Sequence, residues 1–453
     1  MSILNDDASE RYPTLSPVGQ RMIDFMREHP AAPIFRNQSG NKLRAEDIAA
    51  VLAHEREVAD AVIGSAARSL PDWLDPFLAR TWADVPHYRD LGPRPERLAD
   101  VPTVARHDLA ADIARFVPDS LDLSRLINFR TTGTTGHPLL IPSHPQVAGS
   151  YLAYHKRALR RFGIELQHGA GQVGVILLGN QKRCFTYVSV TPTMGESGLA
   201  KINLHPDDWR SPDDRAAYLD AMAPEVIAGD PISFAALLDL PTTVRPKALL
   251  NVAMMLSTGL RQALEARFGC PVADLYSLNE VGPVAVFDPA AGGFVVLQHR
   301  LLIEILDPKG QPVAPGQRGE ITVTGGFNFC LPLVRYRTGD FAALADDRTD
   351  APVLVGFSGR TPVRFRTAAG EWINNIDVTH ALNPLALSHF QLRQRADARL
   401  LLRLPPKQMT LAEAARAALR PLFGGLEIAL QEIAADEDDK IVQYASELSG
   451  ACP

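Results

Sequence analysis

The stretch that decides the fold reads Thr131-Thr132-Gly133-Thr134-Thr135-Gly136-His137-Pro138, and it follows a predicted β-strand over residues 127–129. Four hydroxyl side chains and two glycines occupy its first six residues, so backbone N–H groups and side-chain O–H donors can converge on phosphate oxygens. The spacing differs from the Gly-x-x-x-x-Gly-Lys-Ser/Thr loop of P-loop kinases and GTPases. The stretch therefore predicts a phosphate-binding loop of another kind, with a polar surface turn as the alternative interpretation.

Three later segments carry the aromatic and charged groups that a nucleotide would need. Tyr276 and Glu280 lie in a predicted loop after a strand, Asp340 ends the segment 335–340, and Arg360 follows in Gly359-Arg360. An aspartate at a turn can accept both hydroxyls of a ribose, and a nearby arginine can add a charge-assisted hydrogen bond. Taken singly, each residue is more typical of a turn or a helix cap, so the interest lies in their occurring together.

Taken together and in order, these segments resemble the adenylate-forming superfamily of acyl-CoA synthetases, luciferases and peptide-synthetase adenylation domains. They are most similar to its phenylacetate-CoA ligase branch. The resemblance runs from about residue 73 to about residue 390, and more weakly to the C-terminus. The segments that carry it are residues 85–89, 131–136, 276–280, 316–325 with Gly319-Glu320, 335–340 and 359–360.

The resemblance implies a two-step reaction. A carboxylate attacks the α-phosphate of Mg-ATP to give an acyl-adenylate and pyrophosphate, and a nucleophile, usually the CoA thiol, then displaces AMP. It thus implies an ATP-dependent, AMP-forming ligase with ATP and Mg²⁺ as cofactors and CoA as the usual acceptor. The leading interpretation of the substrate is a small aromatic carboxylic acid.

By position, the resemblance also assigns roles to individual residues. The phosphates would be cradled by Thr131, Thr132, Gly133, Thr134, Thr135 and Gly136. Glu280 would hold Mg²⁺, and Asn279 would donate to the α-phosphate where the family commonly has threonine. Tyr276 would stack on or flank the adenine, and Asp340 would bind the ribose hydroxyls.

Two further assignments concern the C-terminal part of the chain. Arg360 would support the ribose or the domain junction, and Lys440 would be the catalytic cation, with a solvated lysine in an acidic loop as the alternative. The chain departs from the family pattern at His137, where a lysine is usual, and at Pro362, where an aspartate marks the hinge. Because proline locks φ near −65°, either neighbouring residues provide the hinge or the reaction finishes in one pose without CoA.

The hydrophobic pattern predicts an α/β fold with two domains. Helix-period patterns punctuated by proline occupy residues 12–120, including 45–66 and 73–81, without strand-like alternation. Short apolar or β-branched runs then alternate with helical stretches, as in α/β layered proteins. The predicted strands are residues 127–129, 173–178, 187–190, 252–256, 302–306 and 321–324.

After Gly359 the pattern changes to that of a small α+β unit. A strand is predicted over residues 399–404 and another over residues 426–430, after the Gly424-Gly425 turn. Between them, Thr410 and Glu413 form a predicted capping box for a helix over residues 411–419. The predicted domains are therefore a large ATP- and acid-binding domain over residues 1–358, helical in about its first 120 residues, and a small mobile C-terminal domain over residues 359–453.

Composition excludes several other classes of protein. The chain has 453 residues, 46% hydrophobic and 22% charged, which is ordinary for a globular protein. A net charge of −6 argues against nucleic-acid and anionic-membrane partners. The polar start without an apolar core, and the absence of a long apolar run, predict a cytoplasmic location. The spacing of Cys184, Cys270, Cys330 and Cys452 favours neither disulfides nor a zinc site.

Other functions remain open at this point. Adenylation could be followed by CoA-independent transfer to an amine, or nitrite could be activated to build a diazo group. A catalytically inactive nucleotide-binding protein is a further alternative, although such a protein has no physical need for Glu280, Asp340 and Arg360 together. The sequence decides neither the acid nor the acceptor, nor the oligomeric state, for which a homodimer is one option.

Overall fold

The computed structural model describes residues 8–63, 70–130, 139–345, 351–359, 363–434 and 442–448. In these ranges every helix is too short or too polar to cross a bilayer. The α-helices, in chain order, are α1 (Ala8–Arg11), α2 (Pro17–Glu28), α3 (Ala45–Asp60), α4 (Leu74–Asp84), α5 (Pro86–Arg89), α6 (Arg106–Ala111), α7 (Pro145–Arg160), α8 (Asp214–Met222), α9 (Pro231–Leu238), α10 (Thr258–Phe268), α11 (Asn375–Leu382) and α12 (Ala412–Phe423).

Most strands belong to one large sheet. In chain order the strands are β1 (Val104–Ala105), β2 (Ile127–Arg130), β3 (Leu140–Ser143), β4 (Val173–Gly179), β5 (Tyr187–Thr191), β6 (Ser197–Asn203), β7 (Val226–Gly229), β8 (Ala248–Asn251), β9 (Val272–Leu278), β10 (Gly282–Asp288), β11 (Gly293–Val296), β12 (Leu301–Leu306), β13 (Gly319–Gly325), β14 (Leu333–Leu344), β15 (Val353–Ser358), β16 (Arg364–Arg366), β17 (Trp372–Asn374), β18 (Gln391–Gln394), β19 (Leu400–Leu404), β20 (Ile428–Glu432) and β21 (Tyr444–Ser446).

The large sheet has a parallel half and an antiparallel half. Its order is β12-β13-β14-β15-β11-β10-β9-β8-β7-β4-β6-β5, and β1 pairs with β14. Strands β6, β4, β7, β8 and β9 run parallel, whereas β9 and β10 pair as an antiparallel hairpin. The carboxyl end of the parallel half therefore meets the first antiparallel turn, and crevices at such ends are where open α/β sheets bind ligands.

Helices cover both faces of the parallel half because its strands are apolar on both sides. Every residue of β7 and β8 is buried, and successive side chains of a strand point to opposite faces. Ile227 of β7 packs in one core with Leu260 of α10, whereas Ala228 packs in another core with Tyr154 of α7. The result is a three-layer arrangement of helices, sheet and helices.

The N-terminal helices close over the antiparallel half of the sheet. Leu78 of α4 shares a core with Ile303 and Val323 of β12 and β13. Arg335 in β14 is buried and donates hydrogen bonds of 2.8 Å to the carbonyl oxygens of Ala99 and Val101. This arginine therefore fixes the segment before β1 against β14, which bears on the position of α6.

The chain after residue 363 builds a smaller α+β unit. Strands β20, β19, β18 and β21 form a four-stranded sheet, and α12 connects β19 to the parallel strand β20. Phe365, Leu402 and Phe423 lie in a core formed by this part of the chain. The predicted fold class, a large α/β body with a helical opening and a small α+β C-terminal unit, is confirmed, and the exact domain boundary at Gly359 stays a prediction.

The predicted strands overlap β2, β4, β5, β12 and β13, but the strand predicted over residues 252–256 is wrong. The chain is extended earlier, in β8, and then leaves the sheet. Ala253 has a φ of +70°, a left-handed conformation that a strand does not accommodate. The apolar run there reflects packing after the strand, since Leu256 is buried in the core beside α10.

Two local predictions are also corrected. Thr410 does not cap a helix, because it lies within a 3₁₀ helix over Pro406–Leu411 and α12 begins afterwards. The opening region is mostly helical as predicted, yet it contributes β1 to the large sheet, and α3 ends at Asp60 rather than near residue 66. Cys184, Cys270 and Cys330 are free thiols, and Cys452 lies outside the described residues.

Candidate active site

The turn between β9 and β10 lies at the carboxyl end of the parallel strands and carries Asn279 and Glu280. Tyr276 precedes the turn within β9. Asp340 comes from β14, which is distant in the order of the sheet. The structure nevertheless brings the side chains of Tyr276 and Asp340 into contact.

Tyr276 and Asp340 form a buried phenol–carboxylate pair. The Tyr276 hydroxyl donates to Asp340 Oδ2 at 2.9 Å, and the Phe357 ring lies 4.6 Å from the tyrosine ring. Burial, reinforced by the neighbouring carboxylate, raises the pKa of Tyr276 well above its usual value. The phenol therefore stays protonated and holds Asp340 in one orientation, a contact that sequence reasoning did not predict.

The two carboxylate oxygens of Glu280 have different environments. The Tyr336 hydroxyl donates to Oε1 at 3.1 Å, and Arg106 Nη1 lies 3.4 Å from the same oxygen. The residue is only 5% exposed. Among the described residues none bonds to Oε2, and this atom is not one of those sealed from solvent without a partner. A buried carboxylate with one open oxygen is a suitable ligand for a hard cation such as Mg²⁺.

Arg106 is the residue of this site that sequence reasoning missed. It is the first residue of α6, directly after β1, and β1 pairs with β14 in the register that sets Val104 opposite Tyr336. That register brings the guanidinium to Glu280. A two-residue strand leaves no period-2 signal, so the only available signal was the basic residue in the segment 104–108.

The Glu280 turn is tied to the strand that follows the predicted phosphate loop. The Asn328 side-chain amide donates to the carbonyl oxygens of Pro142 in β3 and of Glu280, at 3.1 and 3.2 Å. Strand β2 pairs with β3 so that Arg130 lies opposite Leu140. The two strands that flank residues 131–138 are thus anchored beside Glu280 through one asparagine.

A second ion pair shapes the approach to Asp340. Arg337 Nε donates to Glu320 Oε2 at 2.7 Å, and the Gly339 amide donates to Glu320 Oε1 at 3.0 Å. The Asp340 amide in turn donates to the Thr338 hydroxyl at 3.1 Å. Glu320, which belongs to the Gly319-Glu320 segment singled out in the sequence, therefore positions the backbone that presents the Asp340 carboxylate.

Several predicted site residues lie outside the described residues. These are Thr131, Thr132, Gly133, Thr134, Thr135, Gly136, Arg360 and Lys440, together with the departures His137 and Pro362. Their roles stay predictions. The described part of the candidate site therefore consists of the hydrogen-bonded pair Tyr276 and Asp340, the Glu280 carboxylate with Arg106, and Asn279 in the turn.

Known proteins resemble this chain in sequence over one segment and in fold over most of its length. No family model matches the chain. A phenylacetate-coenzyme A ligase of Aromatoleum evansii is 37% identical over 89 residues, which is 19% of this chain and 20% of the relative. The matched segment thus spans about a fifth of the length of the curated relatives.

The solved structures cover far more of the chain. A 2-hydroxyisobutyryl-CoA ligase in complex with 2-HIB-AMP aligns with a TM-score of 0.60 and 18% identity over 89% of this chain and 90% of that one. An acyl acid amido synthetase in complex with 2,4-DB aligns with a TM-score of 0.51 and 15% identity over 80% and 81%. The chain accordingly shares the fold of these ligase structures over most of its length, and a segment of 89 residues is similar in sequence to phenylacetate-coenzyme A ligases.

Proposed function

We propose that the chain is an AMP-forming ligase that activates a small carboxylic acid, aromatic in the leading case, with Mg-ATP. The observation that carries the proposal is Glu280, whose Oε1 is held by Tyr336 and Arg106 while Oε2 stays open. A purely structural carboxylate at this depth would have both oxygens satisfied. The open oxygen at the carboxyl end of the parallel strands supports a metal–phosphate role.

Different described residues would bind different parts of ATP. Asp340 would accept the ribose hydroxyls, with the Tyr276 phenol fixing its orientation from below. The aromatic pair of Tyr276 and Phe357 would flank the adenine. Glu280 would hold Mg²⁺, which when bound supplies charge neutralisation on the phosphate oxygens.

Arg106 would supply positive charge beside the phosphates, where His137 replaces the usual lysine. Its side chain is 25% exposed and lies against Glu280. A guanidinium is always charged and forms directional bonds with phosphate oxygens. Lys440 is proposed as the second cation, which would act where the acid carboxylate and the α-phosphate are forced together. It would come from the small C-terminal domain proposed over residues 359–453.

The chemistry follows from these positions. An oxygen of the acid forms a bond to the α-phosphorus of ATP, and the bond from that phosphorus to the pyrophosphate oxygen breaks. The acceptor then forms a bond to the carbonyl carbon, and AMP leaves with the oxygen that came from the acid. The protein contributes positioning and electrostatic stabilisation rather than a covalent intermediate.

The acceptor is CoA in the leading proposal, as in the usual reaction of the superfamily. Transfer to an amine and activation of nitrite are the alternatives. The structures with similar folds include one named as a CoA ligase and one named as an acyl acid amido synthetase, so both kinds of acceptor occur on this fold. The open Oε2 of Glu280 favours catalysis over a binding protein that has lost it.

A pyrophosphate-release screen tests the proposal. Aryl acids, amino-aryl acids and nitrite would be added with Mg-ATP, with and without CoA. We expect acid-dependent pyrophosphate release from the wild type and its loss in Glu280→Ala, whereas Glu371→Ala, which changes an exposed glutamate, should match the wild type. ATP turnover that is independent of any acid, or unaffected by Glu280→Ala, would contradict the proposal.

A further inference from the structure

Helix α7 carries two tyrosines whose hydroxyls have different environments. The Tyr154 hydroxyl is 3.1 Å from His54 Nε2 of α3 and is thus satisfied within the protein. Tyr151 lies one turn from His155, and their rings make a T-shaped contact with centroids 6.4 Å apart. Within the described ranges, neither the Tyr151 hydroxyl nor a ring nitrogen of His155 has a hydrogen-bond partner.

Tyr151 lies beside the Glu280 turn. Gly282, two residues after Glu280, has a φ of +76°, and a Cβ added to it would lie 3.3 Å from Tyr151 Cζ and 2.6 Å from Phe327 Cζ. Phe327 also packs against Tyr151, with ring centroids 5.4 Å apart. The phenol therefore lies over a glycine that leaves room for it at the edge of the candidate active site.

Tyr151 and His155 are partly buried but not sealed in the core. Both side chains are partly buried, and neither contributes an atom to the set of sealed polar atoms without partners. Leaving a buried donor or acceptor unpaired costs about 1–3 kcal/mol. Two such groups on one helix face, next to the Phe327 ring, are therefore typical of a surface where a ligand supplies the missing hydrogen bonds.

We propose that Tyr151 and His155 recognise the acid substrate and select one that carries a neutral hydrogen-bonding substituent, such as a hydroxyl, amino or amide group. The inference rests on the proposed function. The two residues act as specificity determinants, since they lie beside the turn that carries Glu280 without being part of its metal or ribose contacts. Phe327 supplies the apolar surface for the body of the acid.

Electrostatics favours a neutral substituent over a second carboxylate. Burial lowers the pKa of His155 to about 4, so its imidazole is neutral near pH 7. Burial, together with the Glu280 charge, raises the pKa of Tyr151 to about 12. A neutral imidazole offers one donor and one acceptor, and a phenol offers both. This set matches a hydroxyl or amide, whereas a second carboxylate would meet repulsion from Glu280.

Matched pairs of acids test the inference. Each pair consists of a hydroxy- or amino-substituted aryl acid and its unsubstituted parent, and kcat/KM is measured by pyrophosphate release. We expect the wild type to prefer the substituted acid at least about tenfold, because sites built around a hydrogen bond discriminate strongly against analogues that lack it. Tyr151→Phe and His155→Leu should each reduce this preference severalfold or more.

Tyr154→Phe is the matched control, since it removes a phenol hydroxyl from the same helix that already has a partner in His54. It should leave the preference unchanged. If a variant fails to fold, calorimetry of the wild type with paired acyl-sulfamoyl adenosine analogues gives the same comparison, with about a tenfold difference in Kd expected. Equal kcat/KM or Kd within a pair, or unchanged preference in both variants, would overturn the inference while leaving the ligase proposal standing. Pyrophosphate release with no acid at all would overturn both.

Discussion

Two regions at the carboxyl edge of the parallel strands are held together differently. The contacts of the Glu280 carboxylate run to side chains, and its Oε2 has no partner among the described residues. At the first turn of α10, contacts run mainly to the backbone: the Gly259 amide donates to Asn383 O at 3.0 Å, and the Ser257 hydroxyl donates to Leu387 O at 2.9 Å. Asn383 also accepts from the Thr258 amide at 2.8 Å.

The difference distinguishes a candidate ligand site, around Glu280, from a structural contact between residues 257–259 and residues 383–387, which we call the α10 joint. Every polar group described above at the α10 joint has its partner within the protein, and Gly259 has no room for a side chain there. At Glu280, Oε2 has no hydrogen-bond partner among the described residues, and under the proposed function a ligand completes it. Substitutions at the site should therefore lower catalysis with little effect on stability, and substitutions at the joint should do the reverse.

The largest expected effect comes from Glu280→Ala. The variant removes the proposed metal ligand, and we expect acid-dependent pyrophosphate release to fall by at least about 100-fold, the size of losing one preorganised electrostatic contact. The thermal unfolding midpoint should change little, since the carboxylate is not needed to hold the turn. The Asn328 side chain donates to the backbone carbonyl of residue 280, and this bond remains in the variant. Release within about twofold of the wild type at limiting Mg²⁺ would remove Glu280 from the metal role.

Asp340→Ala should have the next largest effect. Loss of hydrogen bonds to a charged acceptor, worth roughly 1.5–3 kcal/mol, should lower kcat/KM for ATP by about 10- to 100-fold. Tyr276→Phe provides the comparison, because it removes only the 2.9 Å bond that orients the carboxylate and should cost less. Unchanged ATP kinetics in Asp340→Ala would contradict the ribose assignment.

Arg106→Ala tests whether the Arg106 guanidinium binds the phosphates of ATP. Removal of a charged partner of the phosphates should lower kcat/KM for ATP by about tenfold, equivalent to about 1.4 kcal/mol. Arg106→Lys keeps the charge and should recover part of the loss. Equal activity of the alanine and lysine variants would show that the guanidinium serves packing against Glu280 rather than phosphate binding.

Gly259→Ala should affect stability more than catalysis. An added Cβ would lie 2.3 Å from Leu385 C and 2.5 Å from Pro384 O, both backbone atoms. Overpacking of this kind costs about 1–3 kcal/mol, so the thermal midpoint should fall while pyrophosphate release changes less than about threefold. Gly169→Ala is the matched control, because nothing lies within 4 Å of its added Cβ. Equal thermal unfolding midpoints for the two variants would show that residue 259 has room for a Cβ.

The sequence predicted the fold class and the part of the site that is local in the chain. Tyr276, Asn279 and Glu280 are close in sequence, so one strand and its turn place them together. The Asp340 contact to Tyr276 could not be read from the pattern, because it joins β9 and β14, which are far apart in the chain and separated by three strands in the sheet. The sequence led us to expect Asp340 at a turn, whereas the structure places it within β14.

Arg106 illustrates what single-sequence reasoning lacks. Its contact with Glu280 follows from the pairing of β1 with β14, a tertiary event between strands distant in the chain. The Arg106 contact was missed, whereas the strand over residues 252–256 was predicted and does not exist. The apolar run predicted a strand there, and the positive φ of Ala253 excludes one. Apolar periodicity reports burial, and burial alone does not distinguish a strand from the packed segment that follows it.

The central claim is that the acid is adenylated, and the most direct test follows ¹⁸O from the carboxylate of the acid into the products. The wild type would be incubated with ATP, the acid identified by the screen, labelled with ¹⁸O in both carboxylate oxygens, and its acceptor, and the products analysed by mass spectrometry. If the acid attacks the α-phosphorus and AMP later leaves with that oxygen, each AMP carries one ¹⁸O and the pyrophosphate carries none. Unlabelled AMP, or ADP in place of AMP, would contradict adenylation of the acid.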